Sequence, residues 1–97
     1  MRRLHLTLKK QWFDMIASGE KVEEYREIKP YWQKRLDGRY YRDVVFKHGY
    51  AKDAPAMRFL IENIEVKRGN PEWGAPDCDV YVISLGRRMP LKELHHD

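Results

Sequence analysis

The sequence predicts an α+β fold that is mainly β. The expected form is a small mixed sheet or closed barrel of about five to six strands with two or three short helices. Three observations carry this expectation. One helix-period segment follows the first strand pattern, and turn-rich stretches then join several more strand patterns, with no repeating strand–helix–strand alternation. A chain of 97 residues supports one hydrophobic core, so residues 1–97 are read as a single domain. A hydrophobic share of 42% beside a charged share of 35% fits a globular chain and not a disordered one.

The elements follow in order. Residues 4–8 alternate Leu4, Leu6 and Leu8 with His5 and Thr7, a half-buried strand. Residues 9–18 read as a helix with Trp12, Phe13 and Ile16 as its apolar stripe and Met15 beside it. Gly19 suits the left-handed position that closes a helix. Residues 21–28 form the second strand. Lys21, Glu23, Tyr25 and Glu27 share one face, and Val22, Glu24, Arg26 and Ile28 share the other. Val22 and Ile28 mark the latter as the inward face. Pro30 opens a short helix over 30–36 that ends before Asp37-Gly38. Residues 43–47 are strand-like. Residues 56–67 are a long strand, with Met57, Phe59 and Ile61 on one parity and Ile64 and Val66 on the other. That switch predicts a bulge near Glu62-Asn63. Residues 69–77 are a loop around Trp73. Residues 78–85 are apolar on both faces, which predicts a central strand with Cys78 as a core residue. Residues 90–96 are read as a short terminal helix.

Several classes are set aside. The longest apolar run, residues 80–85, is broken by Ser84 and is too short to span a membrane. Lys9 and Lys10 follow the basic start before any hydrophobic stretch, which argues against a signal peptide. Cys78 is the one cysteine, so neither an internal disulfide nor a multi-cysteine metal site is expected, and a reducing cytoplasm fits. His5, His48, His95 and His96 include no pair at helical metal-ligand spacing, and no metal or cofactor is expected. Gly-rich phosphate loops, the GxSxG elbow and HExxH are absent.

Charge is uneven. The net charge is +4, but residues 1–42 hold 11 basic and 6 acidic side chains, and residues 43–97 hold 8 and 9. Seven of the twelve aromatics lie in 25–50: Tyr25, Tyr31, Trp32, Tyr40, Tyr41, Phe46 and Tyr50. Cations interleaved with rings suit nucleic acid, because cations meet phosphates and rings stack on unpaired bases. The plainer alternative is a solvated basic face over core aromatics. Glu24 and Arg26 stand side by side on the inward face, where charge is costly unless paired. They mark either a functional site or an ion pair that fixes the register of the barrel. Lys21, near Arg26, would have a lowered pKa suited to proton transfer; alternatively it is a solvated strand-end lysine. Tyr31 or Trp32 would stack on a base at a cleft mouth, or pack on the barrel. Tyr40-Tyr41-Arg42 is a solvent-facing stacking edge or the start of a strand.

One stretch resembles a known family. Leu6-Thr7-Leu8-Lys9-Lys10-Gln11-Trp12-Phe13, then Ile16-Ala17-Ser18-Gly19-Glu20-Lys21-Val22-Glu23-Glu24-Tyr25-Arg26, resembles the ASCH family of PUA-like domains. The resemblance covers residues 4–36 strongly and 43–86 more weakly, where Trp73-Gly74-Ala75-Pro76 is also similar. It implies a PUA-like β-barrel with helices at its side and a cleft lined by the segment from Lys21 to Arg26. It also implies RNA or a modified nucleoside as ligand; a bacterial member is an amidohydrolase of acetylated cytidine, and another is assigned as a ribonuclease. Lys21 matches the motif lysine, Glu24 the motif acid and Arg26 the motif arginine. The chain departs from the amidohydrolase pattern in having Glu24 where a nucleophilic Thr stands, and Val22 where Thr is frequent. With Thr7, Ser18 and Ser84 as the only small hydroxyl residues, Glu24 would instead act as a general base on water. For a downstream acid the candidates are Glu62, Glu65 and Glu72, with Glu72 preferred. The expected ligand set is Lys21, Glu24, Arg26, Tyr31 and Trp32. The expected protein is a monomer that binds RNA or a modified nucleoside and no membrane. The alternatives are a small hydrolase with Lys21 and Glu24 as acid–base groups, and a protein-binding scaffold in which Glu24–Arg26 is purely structural.

Overall fold

Alternating apolar residues on five segments assemble into one curled sheet. The computed structural model describes residues 2–91. The strands are β1 (Arg2–Thr7), β2 (Glu23–Arg26), β3 (Tyr41–Lys47), β4 (Ala56–Arg68) and β5 (Asp79–Met89). Helix α1 (Lys10–Ser18) lies between β1 and β2, and α2 (Pro30–Leu36) between β2 and β3. A single 3₁₀ turn spans Pro71–Trp73. The order across the sheet is β1-β3-β4-β5-β2. β1 runs parallel to β3, and every other neighbouring pair is antiparallel. The sheet curls into a half-barrel with two helices, so the fold is α+β and mainly β.

β1 and β2 are the two edges, and they end up facing each other. Their link is a side chain: Arg26 Nη2 donates to the Thr7 carbonyl at 3.3 Å. The seam between these edges positions the site described below.

Inside the curl, Leu4, Leu6 and Leu8 meet Val44, Phe46, Met57 and Phe59, with Ile16 of α1 and Leu36 of α2 closing the core. β5 is apolar on both faces because it serves two clusters. Tyr81, Ile83 and Leu85 enter the main core, while Val80 and Val82 pack with Tyr25, Ala75 and Trp73 on the opposite face. The parity switch in β4 is real: the β4–β5 register shifts between Phe59 and Ile61 and again between Ile61 and Asn63. Ile64 is thereby turned onto the core. Gly19 closes α1 at φ 87°, with its N–H on the Ile16 carbonyl. A buried charge cluster ties the outer face of β1, β3 and β4. Arg3 Nε and Arg58 Nε donate to Asp43 at 3.0 and 2.7 Å. Burial alone would raise the Asp43 carboxyl, but these two bonds hold it below its ordinary range.

Four expectations need correction. The second strand is paired only over β2, and Val22 and Ile28, beyond its ends, are 47% and 41% exposed. The face itself is as expected, with Glu24 and Arg26 opposite Ile83 and Tyr81 of the main core; it is the flanking side chains of Val22 and Ile28 that turn away to solvent. Tyr25, expected outward, is buried, because the 69–77 loop covers that side of the sheet. Lys21 is buried at 2% exposure and is not a solvated strand end. Cys78 is exposed, since β5 begins only at Asp79 and its first buried residue is Val80. Of the helix expected over 90–96, residues 92–96, including His95 and His96, lie outside the described residues.

Candidate functional site

The seam between β1 and β2 opens into a cleft of about 820 Å³. β1 and the residues after it contribute His5, Thr7 and Lys9, and α1 contributes Trp12. β2 and its flanks bring Lys21, Glu24, Tyr25, Arg26 and Glu27. Tyr31 and Trp32 come from α2, Tyr50 from the β3–β4 loop, and Trp73 and Gly74 from the 3₁₀ turn. Six of these are aromatic, and they include all three tryptophans of the chain. Lys9, Lys21 and Arg26 stand against Glu24 and Glu27, so the lining is close to neutral. His5 is held below its usual value by partial burial and by Arg3 and Lys47, and is uncharged at neutral pH.

At the floor lies a chain of three charges. Glu24, 4% exposed, accepts from Arg26 Nη1 at 2.6 Å on one oxygen and meets Lys21 Nζ at 3.1 Å on the other. The Lys21 ammonium also donates to the Trp73 carbonyl and lies 4.6 Å from the Trp12 ring centre and 5.0 Å from that of Tyr25. Two ring faces and a carbonyl replace much of its water. Burial, aided by Arg26, outweighs Glu24 and holds Lys21 below the ordinary lysine value. The cause of this burial is local. The chain turns back after Gly19, and the Lys21 N–H bonds the Met15 carbonyl at 3.0 Å. The side chain is thereby directed under Trp12 instead of into solvent.

Arg26 is the crossing point of the site. It donates to Glu24, to the Tyr25 carbonyl at 3.2 Å and across the seam to Thr7. Its guanidinium lies 5.2 Å from the Trp32 ring centre. Its Nε is buried without a hydrogen-bond partner among the described residues. Tyr25 donates to Glu23 at 2.8 Å and accepts from the Asn70 N–H at 3.0 Å, which fixes the loop carrying Trp73. Burial raises the Tyr25 hydroxyl above its usual value.

The structure thus brings together Lys21, Glu24, Arg26, Tyr31 and Trp32. Trp32 packs on the core, as one of its two readings expected, and also lines the cleft. Glu72 is not brought in; it is exposed within the 3₁₀ turn, and neither it nor Glu62 nor Glu65 lines the cleft. Sequence reasoning missed Trp12, Tyr25, Tyr50, Thr7 and the Trp73 carbonyl. Trp12 reads as part of the apolar stripe of α1, and nothing local in the sequence shows that its outer edge forms the cleft wall. Among the described residues no cluster of His, Cys, Asp or Glu could hold a metal ion, and no helix is long and apolar enough to cross a membrane.

No family model, no curated protein and no solved structure matches this chain.

Proposed function

We propose that this chain is an ASCH-type, PUA-like module that binds an unpaired base of RNA, or a modified nucleoside, in the seam cleft. The carrying observation is the set of six aromatic side chains around the buried Lys21–Glu24–Arg26 chain. A planar, polar, weakly charged ligand suits such a lining: rings stack on its faces, and a few fixed donors and acceptors read its edge. A volume of about 820 Å³ is in the range of small-ligand pockets. The signature from Leu6 to Arg26 supports the same reading, and the lone Cys78 suits a reducing cytoplasm.

The test uses the protein's own reporters. Because Trp12, Trp32 and Trp73 all line the cleft, a stacked base quenches their fluorescence. Titration with cytidine, N4-acetylcytidine and a single-stranded oligoribonucleotide is expected to give saturable quenching that Arg26→Met weakens at least tenfold. Fluorescence that no probe changes removes the reading.

A second reading is hydrolysis of an amide on a modified base. The buried, pKa-lowered Lys21 favours it, as the group that would move a proton. Thr7 is the one serine or threonine among the residues that line the cleft and is the candidate nucleophile of this reading. Glu24 suits a positioning role better than that of base, because each of its oxygens already faces a cation. Chromatography of N4-acetylcytidine decides: turnover by wild type and none by Lys21→Met makes the chain an enzyme. No turnover by either excludes this reading for that substrate.

A further inference from the structure

Most of the chain's positive charge lies outside the cleft. Residues 29–42 hold Lys29, Lys34, Arg35, Arg39 and Arg42 against Asp37 alone, a net +4 that equals the charge of the whole chain. Lys29 pairs with Glu27 at 3.3 Å, and Asp37 accepts from the Tyr81 hydroxyl at 2.5 Å. The other four cations are exposed and meet no carboxylate among the described residues. The same segment carries exposed rings, Tyr31 at 56% and Tyr40 at 73%.

The two features are joined to the cleft by a run of contacting rings and guanidinium groups. Arg26, at the floor, lies 5.2 Å from the Trp32 ring centre. Trp32 meets Tyr31 edge-on at 4.8 Å, and the Arg35 guanidinium lies 3.5 Å over Tyr31. Arg35 is fixed there by its bond to the Tyr31 carbonyl at 3.0 Å. α2 therefore leads from the buried site to open surface, and the chain continues through Arg39 and Tyr40 to Arg42.

We propose that this surface is a track for a single nucleic-acid strand, with Arg35, Arg39 and Arg42 meeting its phosphates and Tyr40 stacking on a base several nucleotides along the strand from the one held in the cleft. The proposal rests on the cleft reading and selects a strand over a free nucleoside as the ligand. Cations alternating with exposed rings match a strand whose bases are unpaired; a duplex offers no free base faces. An acidic peptide would use the cations but leave Tyr40 without a role.

The probe is a fluorescein-labelled single-stranded RNA decamer, followed by anisotropy over a series of salt concentrations. Wild type is expected to bind the decamer at least tenfold more tightly than cytidine, with a steep salt dependence. Arg39→Glu combined with Arg42→Glu should weaken the decamer tenfold or more. It should also flatten the salt slope by roughly 0.7 for each phosphate that the variant no longer neutralises. Cytidine quenching in the same variant should be unchanged. Arg42→Ala, milder at an exposed position, should show the same effects at smaller size, and Tyr40→Ala should weaken the decamer while leaving the salt slope unchanged. Decamer binding unaltered in all these variants overturns the track and leaves the cleft reading standing. So does cytidine binding as tight as the decamer, or displacement of the decamer by poly-glutamate at equal charge. Loss of both probes in wild type overturns the two together.

Discussion

Lys21 shows how strongly neighbours change a side chain. The sequence leaves it either a lysine of lowered pKa near Arg26 or a solvated strand end, and the folded chain holds it between two rings, a carbonyl and Glu24. Because its folded pKa lies below the ordinary 10.5, the unfolded chain binds a proton over a window where the folded chain has released it. Stability therefore rises with pH within that window, whose top is 10.5. Two tyrosines act in the opposite sense. Tyr25 is raised above its ordinary 10.0 by burial, and Tyr81 is pushed up to about 12, chiefly by its bond to Asp37. Above pH 10 the folded chain keeps protons that the unfolded chain loses, and stability falls. Urea unfolding across the alkaline range is expected to show a rise followed by a fall. Lys21→Met should remove the rise and keep the fall; a Met variant with the wild-type profile refutes this assignment. The pairing of Glu24 with Arg26 was legible from their spacing of two on one strand. The burial of Lys21 was not, because it depends on Trp12 and Trp73, nine residues before it and far along the chain after it.

At the scale of elements, the 69–77 loop decides the shape of the site. Its 3₁₀ turn is fixed by Asn70, whose side chain accepts from the Glu72 N–H at 2.9 Å, and by Gly74 at φ 98°. A Cβ at Gly74 would stand 2.8 Å from the Trp12 ring. One at Gly69 would stand 2.5 Å from the Tyr25 ring and 2.7 Å from Ala75. Both glycines let the loop lie close against the cleft wall. Gly74→Ala and Gly69→Ala are each expected to cost about 1–3 kcal/mol in unfolding experiments, by overpacking and, at Gly74, backbone strain. Gly74→Ala should also weaken cytidine quenching, since moving the loop moves the Trp73 carbonyl away from Lys21. Gly38→Ala is the control: it keeps the left-handed strain with open space around it, and should leave quenching unchanged. Equal quenching in wild type and Gly74→Ala would show that the loop does not shape the cleft. The sequence identified this segment as a loop from its two Pro and two Gly. What it covers is set by the sheet beneath it.

For the whole molecule, the seam is where the sheet has the fewest ladder partners. β2 is four residues long and pairs only with β5, while β3, β4 and β5 each have a neighbour on both sides. Backbone hydrogen exchange is expected to be slowest at buried positions of β3 and β5 such as Val44, Phe46, Val82 and Ile83, and fastest among the strands in β2. Arg26→Ala, which removes the link to Thr7, should speed β2 exchange with little change in β3. Uniform acceleration throughout would show that Arg26 supports the entire fold and not the seam. By itself the sequence determined the fold class, the order of elements, the bulge in β4, the two-faced burial of β5 and the Glu24–Arg26 pair. Each is written in local spacing: period 2, period 3.6, a parity switch, or two charges on one strand. Only the tertiary structure decided that β1 and β2 meet as the edges of a curled sheet, and that Trp12, Trp32 and Trp73 converge there. It also decided that Lys21 is buried while Val22, Ile28 and Cys78 are exposed. Curl and edge pairing are collective results of packing across the sheet, and the parity of one strand carries no record of where its neighbours stop.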